Sequence, residues 1–150
     1  YADYLIVMAY DEHYAGGGQA GSNASISFVK KAVSESLKEV PKNQLILGMP
    51  FYSRIWKTKD GVLSTETIGM KSESDYIKSH NAQETWQDDL GQNYVEFSED
   101  GATYQLWVED EKSLALKLGV MKDNSLAGGA FWKEGLESDS VWEIIGKYMK

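Results

Sequence analysis

The chain has 150 residues, 42% of them hydrophobic and 12% aromatic, which is enough apolar material for one sizeable core and argues against a disordered segment. Its net charge of −8 is spread along the sequence, and Lys and Arg form no basic stripe that could neutralise phosphates, so nucleic acid is not an expected partner. No apolar run approaches the roughly 20 residues of a membrane helix, which argues against a membrane partner, and the absence of cysteine excludes disulfides and thiolate chemistry.

The first third of the chain has the order strand, helix, strand. Residues 4–9 form a nearly continuous apolar run, which predicts a strand covered on both faces, as in a parallel sheet. After a glycine-rich loop, apolar residues recur with helical spacing from Ile26 to Val40, and Pro41 ends this helix. Residues 44–51 are a second apolar run, so this order predicts a βαβ unit.

Since the chain begins without Met and reaches a strand almost at once, we expect it to be part of a longer protein.

Between residues 57 and 108 the pattern changes. A short helix is predicted near residues 72–79, followed by strands at 84–87, 94–98 and 103–108. The turn signals Leu90-Gly91 and Glu99-Asp100-Gly101 separate these strands, which predicts an antiparallel meander.

The parallel pattern resumes in the last third. Apolar residues with helical spacing at 114–121 predict a helix, and residues 125–132 predict another short strand. A final helix is expected to start at a cap near Ser138 or Asp139, with Trp142 on its apolar face and in the core.

Three parallel-type strands, each followed by a helix, indicate an α/β fold that resembles part of a (β/α)₈ barrel. A complete barrel needs roughly 250 residues. A complete doubly wound domain is the alternative, but no glycine-rich phosphate loop opens a helix after the first strand. The predicted organisation is a partial barrel of residues 1–56 and 109–150, with a small α+β insertion of residues 57–108.

In such barrels the functional side chains lie at the carboxyl ends of the strands. Residues 8–11, 51–56 and 131–134 occupy these ends and carry phenol, carboxylate, guanidinium and indole groups. This mixture suits a carbohydrate, whose CH faces lie on aromatic rings and whose hydroxyl and amide groups need hydrogen-bond partners. From the residues alone, Trp132 could instead be a core residue and Arg54 part of a structural ion pair.

No metal or other cofactor is predicted. Asp11, Glu12 and His13 are metal-ligand types, but three consecutive residues do not easily converge on one ion, and no further ligand is suitably spaced.

Four segments resemble motifs of family 18 glycoside hydrolases, in the order in which that family has them. Met8-Ala9-Tyr10-Asp11 resembles the Met-x-Tyr-Asp motif of the sixth barrel strand, and residues 47–54 resemble the Gly-x-Pro-Phe-Tyr-Gly-Arg seventh strand. Residues 127–132 resemble the eighth strand, which ends in tryptophan, and residues 109–113 resemble the Asp-Asp-x-x-Ser entry to the seventh helix. Many members insert a small α+β domain between strands seven and eight, and residues 12–16 resemble the bacterial cell-wall and spore-associated branch.

The resemblance implies strands six to eight of the barrel and a site for N-acetylglucosamine polymers, chitin or peptidoglycan. In this family the substrate's own N-acetyl group is the nucleophile. Tyr10 would bind the attacking carbonyl oxygen and Asp11 would shape the same pocket. The implied substrate-binding residues are Met8, Tyr52, Arg54 and Trp132.

The resemblance also leaves alternatives open. The family's general acid closes an Asp-x-x-Asp-x-Asp-x-Glu motif on strand four, and no such run occurs in these 150 residues, so we expect the chain alone to be inactive. The alternative to an enzyme is a non-catalytic chitinase-like lectin, and a third possibility is an α/β domain unrelated to sugars.

We further expect an extracellular, cell-wall or spore-surface location. We also expect the chain to self-associate through exposed strand edges.

Overall fold

The computed structural model describes residues 2–149 and folds them into two β-sheets and four α-helices. The strands are β1 (Leu5–Met8), β2 (Leu45–Pro50), β3 (Tyr52–Lys59), β4 (Val62–Gly69), β5 (Glu84–Gln87), β6 (Gln92–Glu99), β7 (Ala102–Val108) and β8 (Gly128–Trp132). The helices are α1 (Ile26–Ser36), α2 (Met70–Ser79), α3 (Glu111–Asp123) and α4 (Val141–Tyr148). The fold is therefore α/β, as predicted.

The first sheet is parallel and has the order β1-β2-β8. This confirms the three predicted parallel strands. The central strand β2 is almost fully buried, because α1, α3 and α4 pack their apolar residues against it. The core formed in this way includes Val29, Val33, Leu47, Met49, Leu114, Leu118, Val141 and Ile145.

The prediction that the first strand is covered on both faces is wrong for this structure. Ile6 is 52% exposed and Met8 is 67% exposed, whereas Val7, between them, packs against the core. Alternate residues of a strand point to opposite faces, so α1 covers the face of Val7 while the face of Ile6 and Met8 stays open. This sheet therefore presents an apolar surface to solvent.

The second sheet is antiparallel and has the order β4-β3-β7-β6-β5. Strands β5, β6 and β7 confirm the predicted meander, and α2 confirms the predicted short helix. The hairpin of β3 and β4 was not predicted. Because β3 runs across residues 56 and 57, the predicted boundary between barrel and insertion lies inside one strand.

A buried polar cluster lies where β7 leads into α3. Glu109 and Lys117 are each 1% exposed, and Lys117 Nζ donates to Glu109 Oε2 at 2.9 Å. Gln92 donates to the other carboxylate oxygen at 2.8 Å, and the Ser113 hydroxyl donates to Oε2 at 2.9 Å. Burial raises the pKa of Glu109, although the charge of Lys117 opposes this shift. The carboxylate is therefore fully partnered inside the protein.

Two helix boundaries and one core assignment differ from the prediction. Helix α1 ends at Ser36, and turns occupy the chain up to Val40. Ser140 occupies the N-cap position of α4, but its side chain makes no capping hydrogen bond, because the hydroxyls of Ser138 and Ser140 both donate to Glu111. Trp142 is 53% exposed, and the edge of its ring contacts Phe51 with 6.1 Å between centroids.

None of the helices in residues 2–149 has the length and apolar character needed to span a membrane.

Candidate functional site

The candidate site starts at a loop that leaves the carboxyl end of β1. Asp11 has a φ of 58°, and its N–H donates to Asn23 Oδ1 at 3.0 Å. The N–H of Glu12 donates to the carbonyl of Asn23 at 2.9 Å. The carboxylate of Glu12 accepts from the N–H of Ser25 at 2.8 Å, just before α1 begins. These bonds close the base of the loop and hold Asp11 at the strand end.

Two side chains of β3 bind the carboxylate of Asp11. The Tyr52 hydroxyl and Arg54 Nη2 both donate to Asp11 Oδ1, each at 2.7 Å. Both donors lie on one face of β3 because they are two residues apart. The side chain of Arg54 is 13% exposed and that of Asp11 is 43% exposed. The ion pair is therefore partly shielded from water, and one edge of the carboxylate remains open.

Tyr10 lies beside this group and has a free hydroxyl. Its ring meets the ring of Tyr52 edge to face, with 6.3 Å between centroids. The hydroxyl has no hydrogen-bond partner among residues 2–149. Burial, followed by the negative charge of Asp11, raises the pKa of Tyr10, so the phenol keeps its proton at neutral pH and is able to donate. The pKa of Tyr52 is raised by burial and by its hydrogen bond to Asp11.

An apolar cavity of about 230 Å³ adjoins Tyr10 and is lined by Met8 and Trp132. Trp132 ends β8 and is 55% exposed, and Met8 is 67% exposed. Gly48 lies between them on β2, where an added Cβ would be 2.9 Å from the carbonyl oxygen of Val7. The glycine thus allows the strands to pair closely and leaves the cavity open.

The glycine loop extends the site along the second sheet. Trp56 is 2% exposed and donates through its indole N–H to the carbonyl of Gly21 at 2.9 Å. A small cavity of about 190 Å³ separates residues 15–18 from Trp56 and Thr65. The hydroxyl of Thr65 and the Nε of Arg54 are buried and have no partner among the described residues. Both residues are close to Trp56 in the sheet, since Arg54 is two residues before it on β3 and Thr65 is its partner on β4.

A larger cavity, of about 410 Å³, lies elsewhere, between α2 and the start of α3. Carboxylates dominate its lining, with Glu73, Glu84 and Asp110 among them, and none of the predicted site residues borders it. No group of three or more His, Asp or Glu residues within residues 2–149 is arranged to hold a metal ion. Of the predicted site residues, Met8, Tyr10 and Trp132 line the apolar cavity of about 230 Å³ instead.

The six predicted site residues come together in two adjoining groups. Met8, Tyr10 and Trp132 share the apolar cavity, while Tyr52 and Arg54 hold the carboxylate of Asp11. Sequence reasoning missed Asn23, which is 1% exposed and binds both Asp11 and Tyr52. Its position twelve residues after Asp11, between Ser22 and Ala24, gives no periodic signal that would have singled it out.

Comparison with known families adds a separate observation to this geometry. The model of the glycosyl hydrolases family 18 matches residues 1–137. The chain belongs to glycosyl hydrolase family 18. This membership agrees with the motif at residues 8–11 and with the resemblance stated from the sequence.

Among the curated relatives, the chain is 34% identical over 154 residues to the uncharacterized glycosylase YvbX of Bacillus subtilis, covering all of this chain and 43% of that protein. It is 24% identical over 147 residues to the cortical fragment-lytic enzyme of Bacillus anthracis, covering 95% of this chain and 34% of the relative. The chain thus spans less than half the length of these relatives.

Solved structures show the same fold. A chitinase from Chromobacterium violaceum superposes with a TM-score of 0.88 at 22% identity, covering 99% of this chain and 46% of the other. The spore cortex-lytic enzyme SleL of Bacillus megaterium superposes with a TM-score of 0.86 at 22% identity, covering 99% of this chain and 34% of the other. The two-sheet arrangement described above is therefore shared with family 18 structures.

Proposed function

We propose that this chain forms strands six to eight of a (β/α)₈ barrel, together with an inserted α+β domain, in a glycosidase that cleaves β-1,4-linked N-acetylglucosamine polymers. The substrate class is chitin or the glycan of peptidoglycan. The proposed reaction is retaining hydrolysis in which the acetamide of the substrate is the nucleophile. Family membership and the relatives named above support this class of substrate.

One observation carries the proposal. The carboxylate of Asp11 is held by two donors at 2.7 Å, and the adjacent residue Tyr10 lines one cavity together with the exposed indole of Trp132, at the carboxyl end of the parallel strands. Parallel barrels place their reactive groups at this end. A sugar with an acetamide group requires such a set: an apolar platform, a donor for the carbonyl oxygen and an acceptor for the N–H.

Tyr10 and Asp11 are proposed to orient the acetamide. The Tyr10 hydroxyl donates to the carbonyl oxygen that attacks the anomeric carbon, which aligns this oxygen for reaction. The open edge of the Asp11 carboxylate accepts from the acetamide N–H, which increases the electron density on the oxygen. Tyr52 and Arg54 hold Asp11 in place, so their contribution goes through that carboxylate.

Trp132 is proposed as the platform under the sugar at the cleavage point, with Met8 packed behind the acetamide. The leaving oxygen needs a proton from a general acid, and in this family that acid is the last residue of a motif that is absent from these 150 residues. The complete enzyme would supply this acid from another segment. We place the enzyme at an extracellular, cell-wall or spore-surface location.

The second candidate function is that of a lectin that retains Trp132 and Tyr10 but lacks the general acid.

Titration of the chain with chitotetraose, followed by tryptophan fluorescence, tests the sugar site. We expect saturable binding that Trp132→Ala weakens at least about tenfold, since stacking on an indole contributes on the order of 1 kcal/mol beyond area burial. Trp142→Ala is the matched control, because Trp142 is 53% exposed and lies outside the apolar cavity. Equal losses in both variants, or no saturable signal in the wild type, would contradict a sugar site at Trp132.

A further inference from the structure

Asn23 links two members of the candidate site, Asp11 and Tyr52. Its Oδ1 accepts from the N–H of Asp11 at 3.0 Å, and its Nδ2 donates to the carbonyl of Tyr52 at 3.0 Å. Its own carbonyl accepts from the N–H of Glu12 at 2.9 Å. The residue is 1% exposed, so these bonds do not compete with water. One amide therefore joins the loop after β1 to the start of β3.

The backbone of Asp11 needs this support. Its φ of 58° is in the left-handed region, which costs an L-residue with a side chain roughly 1 kcal/mol or more unless the surroundings fix it. In this conformation the Asp11 N–H meets Asn23, while the carboxylate points to Tyr52 and Arg54. The conformation of Asp11 and the direction of its carboxylate are therefore set together.

The contacts form a closed ring of three residues. Asn23 binds the backbone of both Asp11 and Tyr52, and the Tyr52 hydroxyl returns to the Asp11 carboxylate at 2.7 Å. A side-chain amide offers an acceptor to one residue and a donor to the other from two separate atoms. Leucine lacks both groups, and aspartate lacks the donor.

We propose that Asn23 is a positioning residue of this site, which fixes Asp11 and Tyr52 relative to each other and so sets the pocket for the acetamide group. The inference rests on the proposed function, because it names the residue that holds that pocket in shape. Asn23 itself acts through Asp11 and Tyr52.

The surrounding segment is anchored by other bonds, so that the fold does not depend on this amide. The hydroxyl of Ser22 donates to Gln92, and the N–H and hydroxyl of Ser25 donate to the carboxylate of Glu12 at 2.8 and 3.1 Å. Ala24 is fully buried in the core. Replacement of Asn23 is therefore expected to loosen Asp11 while the loop stays docked.

A double-mutant cycle on chitotetraose binding tests the proposal. We expect Asp11→Ala to raise the Kd about tenfold, the effect of losing a hydrogen bond to a charged group, and Asn23→Ala to raise it by a similar factor because it misplaces that carboxylate. The double variant is expected to be no weaker than Asp11→Ala, because Asn23 acts through Asp11. Asn124→Ala is the matched control, since within residues 2–149 its side-chain amide binds only the carbonyl of Val120 at the end of α3. Losses that multiply in the double variant would overturn the proposal.

Hydrogen exchange of the Asp11 N–H gives a second readout that does not need a ligand. We expect Asn23→Ala to speed this exchange at least about tenfold while the amides of α3 keep their protection. Asn23→Asp serves if the alanine variant does not fold: it keeps the acceptor and should protect the Asp11 N–H, yet it lacks the donor to Tyr52 and should raise the Kd for chitotetraose about tenfold over the wild type. Absence of any sugar binding by the wild type would contradict the proposed function alone. Unchanged exchange at Asp11 in Asn23→Ala would overturn the role of Asn23.

Discussion

Individual residues in this chain differ in how far the sequence reveals their role. Tyr10 and Asp11 follow an apolar strand and form part of a motif, so their place at a strand end was predictable. Lys117 gave no such signal, because a lysine in a helix is usually solvated. Lys117 is nevertheless only 1% exposed, because its ammonium group donates to the carboxylate of Glu109, which is equally buried.

Lys117→Met is expected to destabilise the fold by about 3–5 kcal/mol, because it leaves the charge of Glu109 buried without its counter-ion. Urea unfolding followed by circular dichroism measures this change. Lys38→Met is the matched control, as the ion pair of Lys38 and Glu35 is exposed, and it should cost less than about 1 kcal/mol. A similar loss in both variants would contradict the buried-pair account. Glu109→Gln added to Lys117→Met should recover part of the stability.

Secondary-structure elements were predicted well where their apolar period was regular. The parallel strands, the meander and the four helices all have such periods, and β5 was placed at its observed residues. The hairpin of β3 and β4 was missed because Arg54, Lys57 and Lys59 interrupt its apolar pattern. A usable signal was present at Asp60-Gly61, whose φ values of 51° and 76° fit the two-residue turn that this dipeptide favours.

Helix α2 contains a buried glutamate, and its sequence gives no sign of this burial. Glu73 is 3% exposed, although its neighbours on the chain are polar, and its Oε1 has no partner among the described residues. Burial raises the pKa of Glu73 well above its ordinary value of 4.5, with a partial offset from the Ser53 hydroxyl and further increases from Glu109, Asp110 and Glu111. Protonation of Glu73 therefore lowers the cost of burying this side chain.

This burial predicts a pH dependence of stability. Because the folded state keeps a proton that the unfolded chain releases above pH 4.5, stability falls as the pH rises from that value toward the raised pKa. Glu73→Gln cannot titrate, so its advantage over the wild type should grow by up to about 1.4 kcal/mol per pH unit in this window. Urea unfolding at pH 5, 6, 7 and 8 measures the difference, with the exposed Glu134→Gln as the control. A difference that is the same at every pH would contradict the account.

At the scale of the whole molecule, the first sheet is open on one face and along two parallel edges. Tyr4, Ile6 and Met8 are 61%, 52% and 67% exposed, next to the exposed Trp132. Composition and strand order predicted the α/β class, but the exposure of β1 was not predictable, since an apolar run is the same whether or not another element covers it. In the proposed barrel, further strands and the barrel interior would cover this face.

The open face predicts self-association of the 150-residue chain. Burial of an isoleucine side chain contributes roughly 1.5–3 kcal/mol, so Ile6→Glu should weaken a dimer by at least about tenfold. Light scattering over a range of concentrations measures this change, with Val62→Glu as the control, because Val62 is 67% exposed on the β3–β4 hairpin. A monomer at all concentrations, or an equal effect of both variants, would contradict association through this face.

The central claim is that the residues around Asp11 and Trp132 form an acetamide-sugar site, and shift mapping by NMR of the labelled chain tests it most directly. Titration with chitotetraose is expected to give saturable shifts at Tyr10, Asp11, Arg54 and Trp132, and cellotetraose, which lacks the acetamide, should leave Tyr10 and Asp11 unchanged. Saturable shifts confined to the acidic cavity near Glu73, or equal shifts with both sugars, would contradict the account.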